Sequence, residues 1–165
     1  SIWRSLKKEG GDSPNTGFYS TLPWMADGKE LWKAIIKHDK NTTILTGLPK
    51  GNWAEPQKRE WCKNHLGADV PVITCMSDRK HQQAKIDHVL IDDRKDAGTL
   101  WNLYGGTFIH HTSTENTLKQ LRELEILPAE IPFAKGLRAV NLLEERLKGR
   151  NHNNTDVEAL LKGFF

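Results

Sequence analysis

The sequence predicts an α/β domain of three layers, with helices on either side of a mostly parallel sheet joined by right-handed crossovers. Three observations carry this. Short apolar runs, too brief for helices, alternate along the chain with amphipathic helical stretches. One run, Val89-Leu90-Ile91, is continuously apolar, the mark of a strand buried on both faces of a parallel sheet. Polar or glycine-containing turns follow the runs, among them Thr46-Gly47 and Asp92-Asp93, and the carboxyl edge of such a sheet is where ligands bind.

Composition sets the outer bounds. At 165 residues and 37% hydrophobic, the chain is large enough for one domain with a real core. A net charge of +3, spread along a chain with 27% charged residues, is too mild to argue for nucleic acid, though compatible with RNA or phosphorylated ligands. Cys62 and Cys75 fall on different elements without metal-site spacing, which fits structural thiols in a reducing, intracellular compartment such as cytoplasm or an organelle matrix. There is no secretory signal and no apolar stretch long enough to cross a bilayer, so no membrane partner is expected. The first residue is Ser1, as in a processed or excised product.

Taken in order, residues 1–16 read as a basic arm or linker, polar and broken by Gly10, Gly11, Ser13 and Pro14. An aromatic segment with Phe18, Tyr19 and Trp24 follows, suited to covering a pocket or docking onto the body. Leu31, Ala34, Ile35 and His38 share one helical face behind Asp27, a good N-cap. Residues 42–46 are mostly β-branched and read as a strand, ending in Thr46-Gly47-Leu48-Pro49-Lys50-Gly51. A hydroxyl followed by such a loop can offer O–H and backbone N–H groups to a phosphate. Pro56 suits a first helical position and Gly67 a C-cap, with Trp61 in the core and Lys58, Arg59 and Lys63 on a solvated face. Residues 70–75 read as a buried strand, 76–84 as a polar loop, 96–104 as a short helix and 107–110 as the last strand. Thr112, Ser113 or Thr114 then caps a helix with Leu118, Leu121 and Leu124 inward, and further helices are expected over 134–148 and 156–161. The domain plan is an arm over 1–16, an α/β core over 17–126 and a C-terminal helical extension over 127–165.

The chemistry gathers at Asp92-Asp93. Adjacent carboxylates at a strand's carboxyl end raise each other's pKa unless a cation lies between them, and a hard oxygen-seeking ion such as Mg²⁺ is one such cation. The alternative is a polar strand-to-helix turn with Asp93 near the helix start. His110-His111 is a weaker metal candidate, because neighbours on a strand point to opposite faces.

In this order the pieces resemble the haloacid dehalogenase-like (HAD) phosphohydrolase superfamily, and within it the 5'(3')-deoxyribonucleotidase type. The resemblance covers about residues 17–121. It rests on Gly17-Phe18-Tyr19 with Leu22-Pro23, Ile44-Leu45-Thr46-Gly47-Leu48-Pro49, Lys58-Arg59-Glu60-Trp61 with His65-Leu66-Gly67, Asp78-Arg79-Lys80, Leu90-Ile91-Asp92-Asp93-Arg94, Trp101 and Gly105-Gly106-Thr107-Phe108-Ile109. It implies a Rossmann-like HAD fold. Thr46 would be the hydroxyl holding the phosphoryl group, aided by Gly47. Lys80, twelve positions before Asp92, would be the lysine that offsets phosphoryl charge, and Asp92 and Asp93 would hold Mg²⁺.

One part is missing. The superfamily's first motif is an apolar strand ending in Asp-x-Asp, which supplies the nucleophile, and nothing before Phe18 matches it. Asp12 sits in a Gly/Ser/Pro loop, and Asp27 is better placed as a cap. Two functions are therefore expected. Either the chain is the larger part of a Mg²⁺-dependent phosphomonoesterase, 5'-nucleotidase-like, inactive alone because an upstream segment or protein partner supplies the central strand. Or it is a non-catalytic HAD-like subunit of a larger assembly, such as a ribonucleoprotein.

Overall fold

The computed structural model describes residues 11 and 13–130. Chain contacts separate one compact unit ending at Leu127 from another beginning at Pro128. The account below concerns the first. Residues 1–10 and 12 of the arm expected over 1–16, and the helices expected at 134–148 and 156–161, lie outside the described residues.

Helix α1, Gly28–His38, and strand β1, Ile44–Leu48, are followed by helix α2, Ala54–Leu66, and strand β2, Val72–Met76. A 3-10 helix, Ser77–Gln83, leads to β3, Val89–Asp92, then α3, Asp96–Leu103, β4, Thr107–His110, and α4, Thr114–Glu123. The class is α/β, as expected, and both strand pairings are parallel. The segment after β2 is not the loop expected: Ser77–Gln83 coils into the 3-10 helix. No helix among the described residues is long and apolar enough to cross a membrane.

The first strand pair is tied to α2 by polar side chains. Glu55 accepts from Thr74 Oγ1 (2.8 Å) and Arg59 Nε (3.0 Å), while Arg59 also donates to the Val72 carbonyl (3.0 Å). The hydrogen bond from Thr74 and the Arg59 guanidinium hold the Glu55 carboxyl below its ordinary range. Strand β1 begins two residues later than expected and runs on through Gly47. A side chain there would collide with Ser77, since a Cβ would lie 2.6 Å from Ser77 Oγ and 2.9 Å from its Cα. Pro56 falls within the first turn of α2, where its missing N–H costs nothing.

The second pair carries the main core. Ile109, Leu121 and Leu127 are buried together, with Ile35, Val89, Ile91 and Leu118 packed around them. Leu127 thus belongs to the core rather than to the extension. Leu124, expected inward, is 44% exposed, because α4 ends at Glu123 and the chain turns to bury Leu127 instead. On β4, Phe108 lies against Gly98 of α3 so closely that a Cβ on that glycine would sit 2.2 Å from the ring.

Ser113 caps α4, its hydroxyl accepting from the Asn116 amide (3.1 Å). Asp27 occupies the N-cap position of α1, but its carboxylate does not cap that helix. It accepts instead from the Thr114 amide (2.9 Å), and His111 Nε2 lies 3.3 Å away, so it ties the start of α1 to the start of α4. Burial pushes the Asp27 carboxyl up, but the hydrogen bonds from Thr114 and the His111 imidazole outweigh this and hold it below its ordinary value. A folded pKa below the unfolded value of about 3.9 makes this tie stabilising above roughly pH 5, and the contribution is lost as pH falls through the folded value. Asp27→Ala is therefore expected to lower the melting temperature at pH 7, with the gap to wild type closing as melts are repeated at falling pH. A gap unchanged down to about pH 2 would contradict the ionic role.

The sheet is divided. Among the described residues, β1 pairs with β2 alone and β3 with β4 alone, and β1 and β3 do not pair with each other. Every residue of β1 is half-exposed, although Ile44, Leu45 and Leu48 are apolar.

Candidate functional site

At the carboxyl end of β3, Asp92 is buried, 7% exposed. Lys80 Nζ stands 2.5 Å from its Oδ2, and Oδ1 accepts from the Arg94 amide at 2.9 Å. Lys80 reaches it because the 3-10 helix starts directly after β2 and packs against both β1 and α3. In the sequence Lys80 is a loop lysine; in the fold it is paired and largely buried. Asp93 is exposed, and its carbonyl, not its carboxylate, is engaged, accepting from His110 Nε2 at 3.0 Å.

At the carboxyl end of β1, Lys58 Nζ donates to Thr46 Oγ1 (3.3 Å) and to the Gly47 carbonyl (2.8 Å). It also lies 4.3 Å from the centre of the Tyr19 ring. Lys58 was expected on the solvated face of α2, but it points inward. Desolvation pulls its pKa down, and the nearby charge of Lys80 adds to the effect. Sequence reasoning thus missed a second ammonium. The available signal was spacing: Ala54, Lys58 and Cys62 recur every fourth residue, and Ala54 and Cys62 are buried.

Gln57 was also missed. It is fully buried, its Oε1 accepting from the Tyr19 amide (3.0 Å) and its Nε2 donating to the Gly11 carbonyl (3.0 Å). Tyr19 stacks on Trp53, with ring centres 5.4 Å apart. The aromatic segment therefore docks onto α2 and sets Tyr19 beside Lys58. Trp61, expected in the core, is half-exposed; it donates to the Leu22 carbonyl (2.7 Å) and stacks on His65 (4.4 Å), pinning the same segment.

Of the expected site residues, Lys80 and Asp92 are in contact, and Thr46 and Gly47 meet Lys58. Ser77, which begins the 3-10 helix, joins the two groups by donating to the Leu48 carbonyl (3.3 Å) three residues ahead of Lys80. A small cleft of about 130 Å³ opens beside Lys80, lined also by Asp78, His81, Arg94 and Asp96, and neither Thr46 nor Asp92 lines it.

Among the described residues, no cluster of three or more acidic, histidine or cysteine side chains could enclose a metal. Mg²⁺ seldom needs one, binding through one or two carboxylates together with substrate phosphate oxygens. Asp92 and Asp93 are hard oxygen donors by type; in the structure Lys80 and the Arg94 amide engage both Asp92 oxygens, and the Asp93 side chain is exposed. The two histidines part: His110 turns to Asp93, and His111 Nδ1 meets Thr117 Oγ1 (2.8 Å). Burial pushes both thiols, Cys62 and Cys75, up, so neither is a poised nucleophile.

No family model, curated protein or solved structure matches the chain.

Proposed function

We propose that the chain is a HAD-like phosphohydrolase domain, 5'-nucleotidase-like, that binds a phosphomonoester but lacks its own nucleophile. On this reading the strand pairs are the two halves of one three-layer, Rossmann-like sheet. The observation that carries it is the pair of ammoniums, Lys58 held by Thr46 and Gly47 at the end of β1 and Lys80 held by Asp92 at the end of β3. Asp92 offsets one positive charge, and among the described residues Lys58 is held by a hydroxyl, a carbonyl and an aromatic face. A phosphate dianion supplies the missing charge. Thr46 O–H and Lys58 donate to the phosphoryl oxygens, and Lys80 offsets their charge while paired with Asp92. Asp92 and Asp93 would hold Mg²⁺, which when bound neutralises charge on the phosphoryl group.

The test is phosphate affinity, read by calorimetry with inorganic phosphate and a 5'-mononucleotide. Lys58→Met is expected to weaken binding at least about tenfold, as loss of one charge-assisted hydrogen bond does. Phosphate affinity unchanged in both Lys58→Met and Thr46→Val would refute the site.

A further inference from the structure

The cleft beside Lys80 shares residues with the proposed phosphate site. Lys80 lines it, and so does Ser77, the residue that meets the end of β1. Ser77 Oγ donates to the Leu48 carbonyl (3.3 Å), and a Cβ on Gly47 would come within 2.6 Å of that oxygen. Gly47 in turn holds Lys58 through its carbonyl (2.8 Å). A phosphoryl group held by Thr46, Lys58 and Lys80 therefore has this cleft as its neighbour, and the cleft is room for its ester substituent.

Size and charge define what fits. About 130 Å³ is well under the roughly 300–1,000 Å³ of pockets that enclose a drug-sized ligand, so the cleft takes one ring rather than a whole nucleoside. A second phosphate is disfavoured, because the lysine and the arginine in its walls already face carboxylates. Lys80 meets Asp92 (2.5 Å), and Arg94 meets Asp96 (2.6 Å). To a neutral ligand the same walls offer donors and acceptors by turns. The Asp78 and Asp96 carboxylates accept, the Arg94 fork donates, and the Ser77 hydroxyl does either. Ala97 and Leu100 add apolar surface for the C–H face of a ring, with Leu100 40% exposed. In a 5'-mononucleotide the ring next to the phosphoryl group is the ribose, and the base lies beyond it.

We infer that the cleft is a subsite for a small neutral polyol ring. The substrate class is then a sugar phosphate, and a 5'-mononucleotide is held through its ribose, with the base outside and unread. The inference rests on the phosphate site proposed above and assigns the group that site leaves open.

The experiment is an NMR titration of the full 165-residue chain with inorganic phosphate, ribose 5-phosphate, and adenosine and uridine 5'-monophosphate. Ribose 5-phosphate binds at least about tenfold more tightly than inorganic phosphate, the gain from a hydrogen bond to a charged group. It also shifts the amides of Asp78, His81 and Ala97 more than inorganic phosphate does. The two nucleotides bind within about threefold of ribose 5-phosphate, a difference smaller than one hydrogen bond. Ala97→Leu fills the cleft without removing a polar group, and it abolishes the advantage of ribose 5-phosphate over inorganic phosphate. Asp78→Asn, at an exposed position that folding tolerates, removes part of that advantage. If neither phosphate nor ribose 5-phosphate binds, the phosphate site fails and this inference with it. Three outcomes overturn the inference alone: phosphate binds but ribose 5-phosphate gains nothing, the gain survives both variants, or the two nucleotides differ by about tenfold or more.

Discussion

Lys80→Met destabilises the folded chain by about 3–5 kcal/mol, the loss expected when a buried ion pair is broken by removing one partner. Asp92 then stays buried, with only the Arg94 amide on its carboxylate. The charge cannot leave with the lysine, and the cost is that of an uncompensated carboxylate rather than of a lost contact. Asp92→Asn, which removes the charge itself, costs less, and the double variant costs less than the two single losses added. Urea unfolding of the four proteins measures this directly. Strict additivity would mean that the two side chains are neighbours without being partners, and the reading of Lys80 as a site residue would fall with it.

Given Mg²⁺ and a phosphomonoester, the isolated chain turns it over no faster than buffer. The proposed site can bind, orient and neutralise, but among the described residues no carboxylate is placed as nucleophile: Asp92 is held by Lys80 and Arg94, and Asp27 by Thr114 and His111. Losing a covalent nucleophile leaves about 10³–10⁴ of rate enhancement over water in enzymes where this has been dissected, and on a phosphomonoester, whose uncatalysed hydrolysis is among the slowest, that remainder is not distinguishable from buffer. Release of inorganic phosphate from a 5'-mononucleotide is the readout. Robust release abolished by Asp92→Asn would mean that the nucleophile is present in this chain.

The α/β class and the places of several elements were legible because backbone preference and apolar periodicity are local signals. The continuous run at Val89-Leu90-Ile91, the amphipathic stripe of α1 and the glycine after α2 each follow from local chemistry, and each lies where that chemistry puts it. What was not legible depends on partners distant in sequence. Asp27 looks like a cap, yet its carboxylate is taken by Thr114, 87 residues away. Lys58 looks solvated, since lysine on a helix ordinarily is, and only the Thr46 hydroxyl and Gly47 carbonyl on a neighbouring strand turn it inward. Leu124 fits the stripe of α4, but the helix stops before it and Leu127 takes the buried place. Of the candidate site, the residue types at Thr46, Lys80 and Asp92 could be read in advance; the second ammonium and the buried Gln57 that seats Tyr19 beside it could not.

The 3-10 helix has a consequence for the order in which the chain assembles. The Lys80–Asp92 pair spans only twelve positions, fewer than separate the paired residues of either strand pair, so it is the most local of these contacts and costs the least loop entropy to close. A contact this local is expected to form no later than the strand pairs it joins. Its loss is therefore expected to slow refolding more than it speeds unfolding, which makes Ser77–Gln83 a guide toward the native state more than a latch on its lifetime.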